Sequence, residues 1–218
     1  VIMGYDYNTG PQLQGAVAPL IPFETKNISL NTTLKYYLEA GINPSKTVLA
    51  LPYYGSMWEG AIGEGGKTSS IFERKVTYRE VMSIFNDEFV TKNNLSPILE
   101  KKSMTNYFNI TYPDNTTKEV WFDDDYTLGK KYDFAIANKL KGIGVWALGY
   151  DNGYNELWDV IEAKFATDAV PVVDPVGQIE GYPIKVSNYI LKKKNLLLVS
   201  SIFFLFAVAI GFVLALSD

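Results

Sequence analysis

The sequence predicts an α/β chain built on parallel strands, and three observations carry that prediction. Apolar runs with strand propensity at Val1–Tyr7, Lys46–Leu51 and Ile143–Leu148 are each followed by a segment with helical spacing. The third run lies inside Lys141–Asp151, which is continuously apolar and bounded by glycine, as suits a parallel strand covered on both faces. Each run also ends in a turn-forming stretch: Asn8-Thr9-Gly10-Pro11, Pro52-Tyr53-Tyr54-Gly55 and Gly149 to Gly153. In parallel α/β architectures that polar end of the strand carries the chemistry. On the strand alone, Trp146 reads first as core packing and second as the floor of a sugar subsite.

Composition narrows the chemistry. The chain has 218 residues, enough for one domain of ordinary size, and a net charge of -4, which argues against nucleic acid as a partner. It holds no cysteine and no histidine. Thiol nucleophiles, Ser-His-Asp triads and the usual zinc sites are therefore excluded, and no metal or cofactor is expected. Any hydrolysis would run on carboxylates, tyrosines or the substrate's own groups. Fifteen tyrosines and four tryptophans supply stacking surface. The chain opens on Val1, inside an apolar run and without a signal sequence, so it is expected to be a fragment or to have lost an upstream part.

In order, the strand at Val1–Tyr7 leads into a loop from Gly15 to Lys26, with three prolines between Pro11 and Pro22. A helix is expected over Ser29–Ala40, with Leu30, Leu34, Tyr37 and Leu38 at helical spacing, Ser29 or Asn31 as cap and Gly41 as stop. After the strand at Lys46–Leu51, residues 56–120 break the rhythm. Glycine-rich Gly60–Gly66 precedes a helix over Thr77–Phe89 and two strand-like runs, Met104–Tyr112 and Lys118–Phe122, joined by the turn Pro113-Asp114-Asn115. A structureless loop of that length is rare in a compact domain, so the stretch reads as a small α+β insertion. A helix over Asp123–Leu140, capped by Asp124 or Asp125, precedes the strand at Ile143–Leu148. A further helix over Asn155–Thr167 places Leu157, Val160, Ile161 and Phe165 on one face. The expected organisation is barrel-type βα units over 1–55 and 121–168, with the insertion at 56–120 between them.

Residues 169–195 read as a proline-bearing linker or stalk, and Leu196–Leu216 is an uncharged apolar run long enough to span a bilayer. Lys192-Lys193-Lys194 ahead of it would place the domain in the cytosol. Five acceptor sequons, beginning at Asn27, Asn31, Asn94, Asn109 and Asn115, point instead to a luminal or extracellular domain. The preferred expectation is the latter, anchored in the membrane by a C-terminal helix or by a lipid anchor that replaces it.

Three stretches together resemble the chitinase family of glycoside hydrolases, family 18. Met3-Gly4-Tyr5-Asp6 resembles the Met-x-Tyr-Asp that ends the sixth barrel strand. Leu51-Pro52-Tyr53-Tyr54-Gly55, with Trp58 close behind, resembles the seventh strand and its exit. Val120-Trp121-Phe122-Asp123-Asp124, followed by Gly142 to Asp151, resembles the passage from the insertion through the eighth strand. The resemblance covers residues 1–167 and implies the last three βα units of a TIM (β/α)8 barrel, with the missing barrel half upstream or on another chain. It also implies a substrate-assisted mechanism, in which the N-acetyl oxygen of the sugar is the nucleophile and a glutamic acid protonates the leaving oxygen. By that resemblance Tyr5 would donate a hydrogen bond to the N-acetyl group and Asp6 would hydrogen-bond the sugar. Met3 and Tyr54 would line the subsite, and Trp146 would stack under the ring.

Two departures from the family pattern stand out. The family's acid lies in Asp-x-x-Asp-x-Asp-x-Glu, which does not occur in this sequence, and Asp123-Asp124-Asp125 reads as helix capping rather than a substitute. Ser56 stands where many members carry an arginine, so a cleft contact is expected to be missing. Three functions remain open. The first is the C-terminal portion of a hydrolase of β-1,4-linked N-acetylglucosamine polymers or oligomers, inactive alone. The second is a non-catalytic oligosaccharide-binding relative. The third is a membrane-tethered half-barrel that binds another chain along an exposed strand edge.

Overall fold

The computed structural model describes residues 1–8, 14–22, 27–60, 71–85 and 95–166, all within a first unit, Val1–Gly177. The stalk and the apolar run at 196–216 lie outside the described residues, as does Asn94. No helix among the described residues is long and apolar enough to cross a membrane.

Two sheets make the architecture. Strands β1 (Ile2–Met3), β2 (Val48–Pro52) and β8 (Gly142–Trp146) form a parallel sheet in the order β1-β2-β8. The register pairs Met3 with Ala50 and Pro52 with Trp146, so the carboxyl ends of the three strands lie side by side. Helices α1 (Leu30–Glu39), α3 (Asp125–Ala137) and α4 (Glu156–Phe165) follow β1, the insertion and β8. Leu49 and Leu51 of β2 share one core with Leu30 and Leu34 of α1, Leu128 and Tyr132 of α3, and Leu157 of α4.

Local chemistry accounts for the helix starts. Ser29 caps α1 and Asp124 caps α3, each in a reciprocal capping box closed by a threonine three residues on, Thr32 and Thr127. The expected stop of α1 is present: Gly41 has φ +83, the left-handed backbone that glycine adopts at no steric cost. Two expectations of burial differ. Tyr37 and Leu38 of α1 are exposed, because only the face carrying Leu30 and Leu34 meets β2 and its neighbours. Strand β8 is half-buried rather than buried, since it lies at the edge of the parallel sheet with β2 as its partner among the described residues.

The stretch between β2 and α3 is an antiparallel sheet with a helix against it. Strands β3 (Tyr54–Glu59), β4 (Ile71–Thr77), β5 (Ile98–Glu100), β6 (Thr105–Thr111) and β7 (Thr117–Phe122) run in the order β4-β3-β7-β6-β5, and α2 spans Tyr78–Phe85. Neither β3 nor β4 is apparent as an alternating strand pattern, because β3 is buried along Tyr54–Trp58 and β4 carries the consecutive charges Glu73-Arg74-Lys75 at its centre. Alternation divides this sheet into two faces. Met57, Val76, Phe108, Ile110, Val120 and Phe122 join the main core with Val81 and Met82 of α2. The opposite face holds Trp58, Tyr107 and Trp121, with the Tyr107 and Trp121 rings stacked at 4.7 Å and Ala16 of the proline-bearing loop packed on them. Gly55 lets β3 lie against β7: a Cβ there would sit 2.2 Å from the carbonyl oxygen of Trp121.

Candidate functional site

Tyr53 is the hinge between the two sheets. Its amide donates to the Trp146 carbonyl at the end of β8 (2.7 Å), and its own carbonyl accepts from the amide of Tyr78 at the start of α2 (2.9 Å). Its ring is buried and its hydroxyl donates to the Leu157 carbonyl of α4 (3.3 Å). The next residue, Tyr54, is thereby delivered to the carboxyl ends of β1, β2 and β8.

A loop after β1 brings its own residues to the same place. The Gly4 amide donates to the Ala50 carbonyl (2.8 Å), and the Tyr7 amide to the Val17 carbonyl (3.0 Å). The Tyr7 hydroxyl donates to Thr33 Oγ1 of α1 (2.7 Å), and burial pushes that phenol above its usual range. Gly4 has no room for a side chain: a Cβ would lie 2.9 Å from the Ala50 carbonyl oxygen. Between these anchors Asp6 takes φ +63, a left-handed conformation that aspartate tolerates better than most residues.

The result is an aromatic cluster with one carboxylate. The Tyr5 ring lies 6.2 Å from Trp146 and 6.2 Å, edge-on, from Tyr54; Tyr150 meets Tyr54 edge-on at 6.4 Å. The peptide bond from Trp146 to Ala147 is cis. Trp146 is 54 % exposed, so it is not the core residue that the strand alone favours. Met3 stands at the same strand end and is 70 % exposed. Tyr54 is buried, and its hydroxyl donates to Asp6 Oδ1 at 2.5 Å. Burial, then the Asp6 carboxylate, hold this phenol far above its usual range, so it stays a donor at any physiological pH.

Lys75 of β4 completes the group. Its Nζ donates to both Asp6 oxygens at 2.7 Å and lies 5.0 Å from the centre of the Tyr54 ring. Neither Lys75 nor Tyr150 is marked by sequence reasoning. Lys75 sits in a run of charged residues, and only the β3–β4 register, which sets it opposite Ser56, reveals where it reaches. Ser56 itself is buried, and its Oγ has no hydrogen-bond partner among the described residues.

The acidic triplet has other work. Asp123 is buried against Lys131 of α3, whose Nζ also reaches Thr105 Oγ1 (3.2 Å). Burial raises the Asp123 carboxyl and lowers the Lys131 ammonium from their usual ranges. Asp124 caps α3. Asp151 is buried and accepts from the Trp158 indole at 2.6 Å.

An exposed tryptophan beside a tyrosine hydroxyl and a carboxylate, at the carboxyl ends of parallel strands, offers a flat apolar floor with polar groups at its rim. That arrangement suits a sugar ring. The chain is 24% identical over 185 residues to human di-N-acetylchitobiase, covering 75% of this chain and 46% of that protein. It is 29% identical over 163 residues to Nod factor hydrolase protein 1 of Medicago truncatula, covering 69% of this chain and 38% of the relative. The chain thus spans less than half the length of these curated relatives. The crystal structure of a GH18 chitinase from Cycas revoluta in complex with (GlcNAc)3 matches 72% of this chain and 44% of its own, with a TM-score of 0.58 at 21% identity. That likeness identifies the fold as the α/β type of the TIM barrel. The profile of glycosyl hydrolases family 18 matches residues 1–151, over two-thirds of the sequence, and the chain belongs to that family.

Proposed function

We propose that this chain forms the sugar-binding side of a chitinase-like hydrolase acting on β-1,4-linked N-acetylglucosamine by the substrate-assisted route. The observation that carries the reading is the grouping of Tyr5, Asp6, Tyr54 and Trp146 at one set of strand ends. Trp146 would stack under the ring of the bound sugar. The Tyr5 ring touches Tyr54 and Trp146, and among the described residues its hydroxyl has no hydrogen-bond partner, which leaves it to donate to the N-acetyl oxygen. That bond would hold the oxygen beneath the anomeric carbon as it attacks and the glycosidic bond breaks. Asp6 would accept from a sugar hydroxyl, and Met3 would line the open rim. The leaving oxygen needs a proton, and the family's glutamic acid motif is not in this sequence. Asp123 is engaged with Lys131 and Asp124 with its helix, so neither is free to supply it. The acid would come from a further part of the barrel, upstream or on another chain.

Calorimetry with (GlcNAc)4 and the full chain tests this. Binding without hydrolysis is expected, and Trp146→Ala should weaken it about tenfold or more, the worth of one aromatic face removed from water. Absence of binding would remove the sugar-site reading, and hydrolysis by this chain alone would remove the need for an outside acid.

We also propose a luminal or extracellular location, with the run at 196–216 as helix or anchor signal. The support is that Asn27, Asn31 and Asn115 are exposed. Asn109 lies within β6 with its amide oxygen buried. Glycan mapping on the protein from a secreting host should find sugar at the exposed set and none at Asn109; bare sites throughout would refute the location.

A further inference from the structure

We propose that Lys75 is a positioning residue of the sugar site: delivered by the insertion, it fixes the Asp6 carboxylate so that one lone pair faces the bound sugar. The inference rests on the sugar-site reading above.

The register places Lys75 there. Tyr54 pairs with Thr77 and Ser56 with Lys75, so Tyr54, Ser56 and Lys75 share one face of the β3–β4 pair. Ser56 presents only a hydroxymethyl group opposite the lysine, and Lys75 Nζ reaches past it to Asp6 and over the Tyr54 ring. A carboxylate offers about four acceptor positions. Among the described residues, two on Oδ1 are taken by Tyr54 and Lys75 and one on Oδ2 by Lys75, which leaves one on Oδ2. An ammonium has three N–H donors, and two are directed at Asp6, so a third is left beside that lone pair. A sugar hydroxyl can donate to the one and accept from the other. Without Lys75, Asp6 keeps a single partner among the described residues, Tyr54, on a backbone already in the left-handed region, and none of those residues defines the direction of Oδ2.

Magnitude separates this role from a structural one. The side chains of Lys75 and Asp6 are 47% and 40% exposed, and ion pairs of that kind contribute little to folding stability. Loss of the lysine should therefore hardly move the melting temperature, while a ligand that depends on a charge-assisted hydrogen bond should notice it.

The test is a double-mutant cycle on the full chain with (GlcNAc)4 as probe. Lys75→Met is expected to melt with the wild type and to bind about tenfold more weakly. Lys75→Arg, which keeps the cation, should recover most of that loss. Because the lysine acts through the aspartate, Lys75→Met added to Asp6→Asn should cost little beyond Asp6→Asn alone. Additive losses, or wild-type affinity in Lys75→Met, would overturn the inference while the sugar-site reading stands. A wild-type chain that does not bind (GlcNAc)4 would remove the reading and the inference together.

Discussion

Single residues here do more than one job, and Asp125 shows how the conflict is resolved. As the first residue of α3 it sits where the helix dipole favours an anion. Burial opposes this, and with the Asp124 charge beside it the carboxyl is pushed up to about 6. A carboxyl raised in the fold contributes stability while protonated, below the ordinary range near 3.8, and that contribution is lost as pH rises through about 6. Asp125→Asn should therefore melt above the wild type at pH 7.5, with the advantage shrinking toward pH 4. Thermal melts across that range decide it: a gap independent of pH would show that the dipole balances burial, and a wild type melting above the variant at pH 7.5 would show that it outweighs burial. The sequence can name Asp124 or Asp125 as the cap, because capping is a local pattern. It cannot say that Asp125 is the one left in a poor environment, since Glu156, which adds to the raising, arrives from α4.

Among elements, the same division between local and distant causes decides what was readable. Helices α1 and α3 follow from spacing and caps within ten or so residues, α4 follows from spacing alone, and the turn at Pro113-Asp114-Asn115 follows from its own residues. Strands β3 and β4 do not. Tyr54–Glu59 is apolar and aromatic on both faces because it is covered on both: Met57 by the main core, Trp58 by the second aromatic cluster. Ile71–Thr77 is charged because most of it is exposed, and it is a strand only through its pairing with β3. The site divides likewise. Tyr5, Asp6, Tyr54 and Trp146 can be picked out because each stands in a stretch that resembles the family. Lys75 belongs to no such stretch, and its approach to Asp6 is a consequence of register. Lys131 is a further case: a lysine on an amphipathic helix reads as solvent-facing, yet it is buried against Asp123 and ties α3 to the end of β7.

At the scale of the whole molecule, the described parallel sheet is asymmetric in a way that bears on the proposed function. Only β2 has a strand on each side; β1 and β8 each have one partner among the described residues. Val1, Met3, Trp146 and Leu148, at or beside those two strands, are all more than half exposed. Parallel strands are ordinarily covered and paired, and an eight-stranded barrel removes its edges by closing. If the catalytic acid is brought by further strands, as proposed, those strands would pair along β1 and β8 and complete the cleft whose floor is Trp146. Amide hydrogen exchange reads this directly. In this chain the amides of β2 should exchange most slowly and those of β1 and β8 that have no partner should exchange fast; in a protein that carries the remaining strands, the same amides should become protected. If β1 and β8 are already as protected as β2 in this chain, the sheet is closed by other means. The acid would then have to reach the Tyr5 and Trp146 cleft without strand pairing.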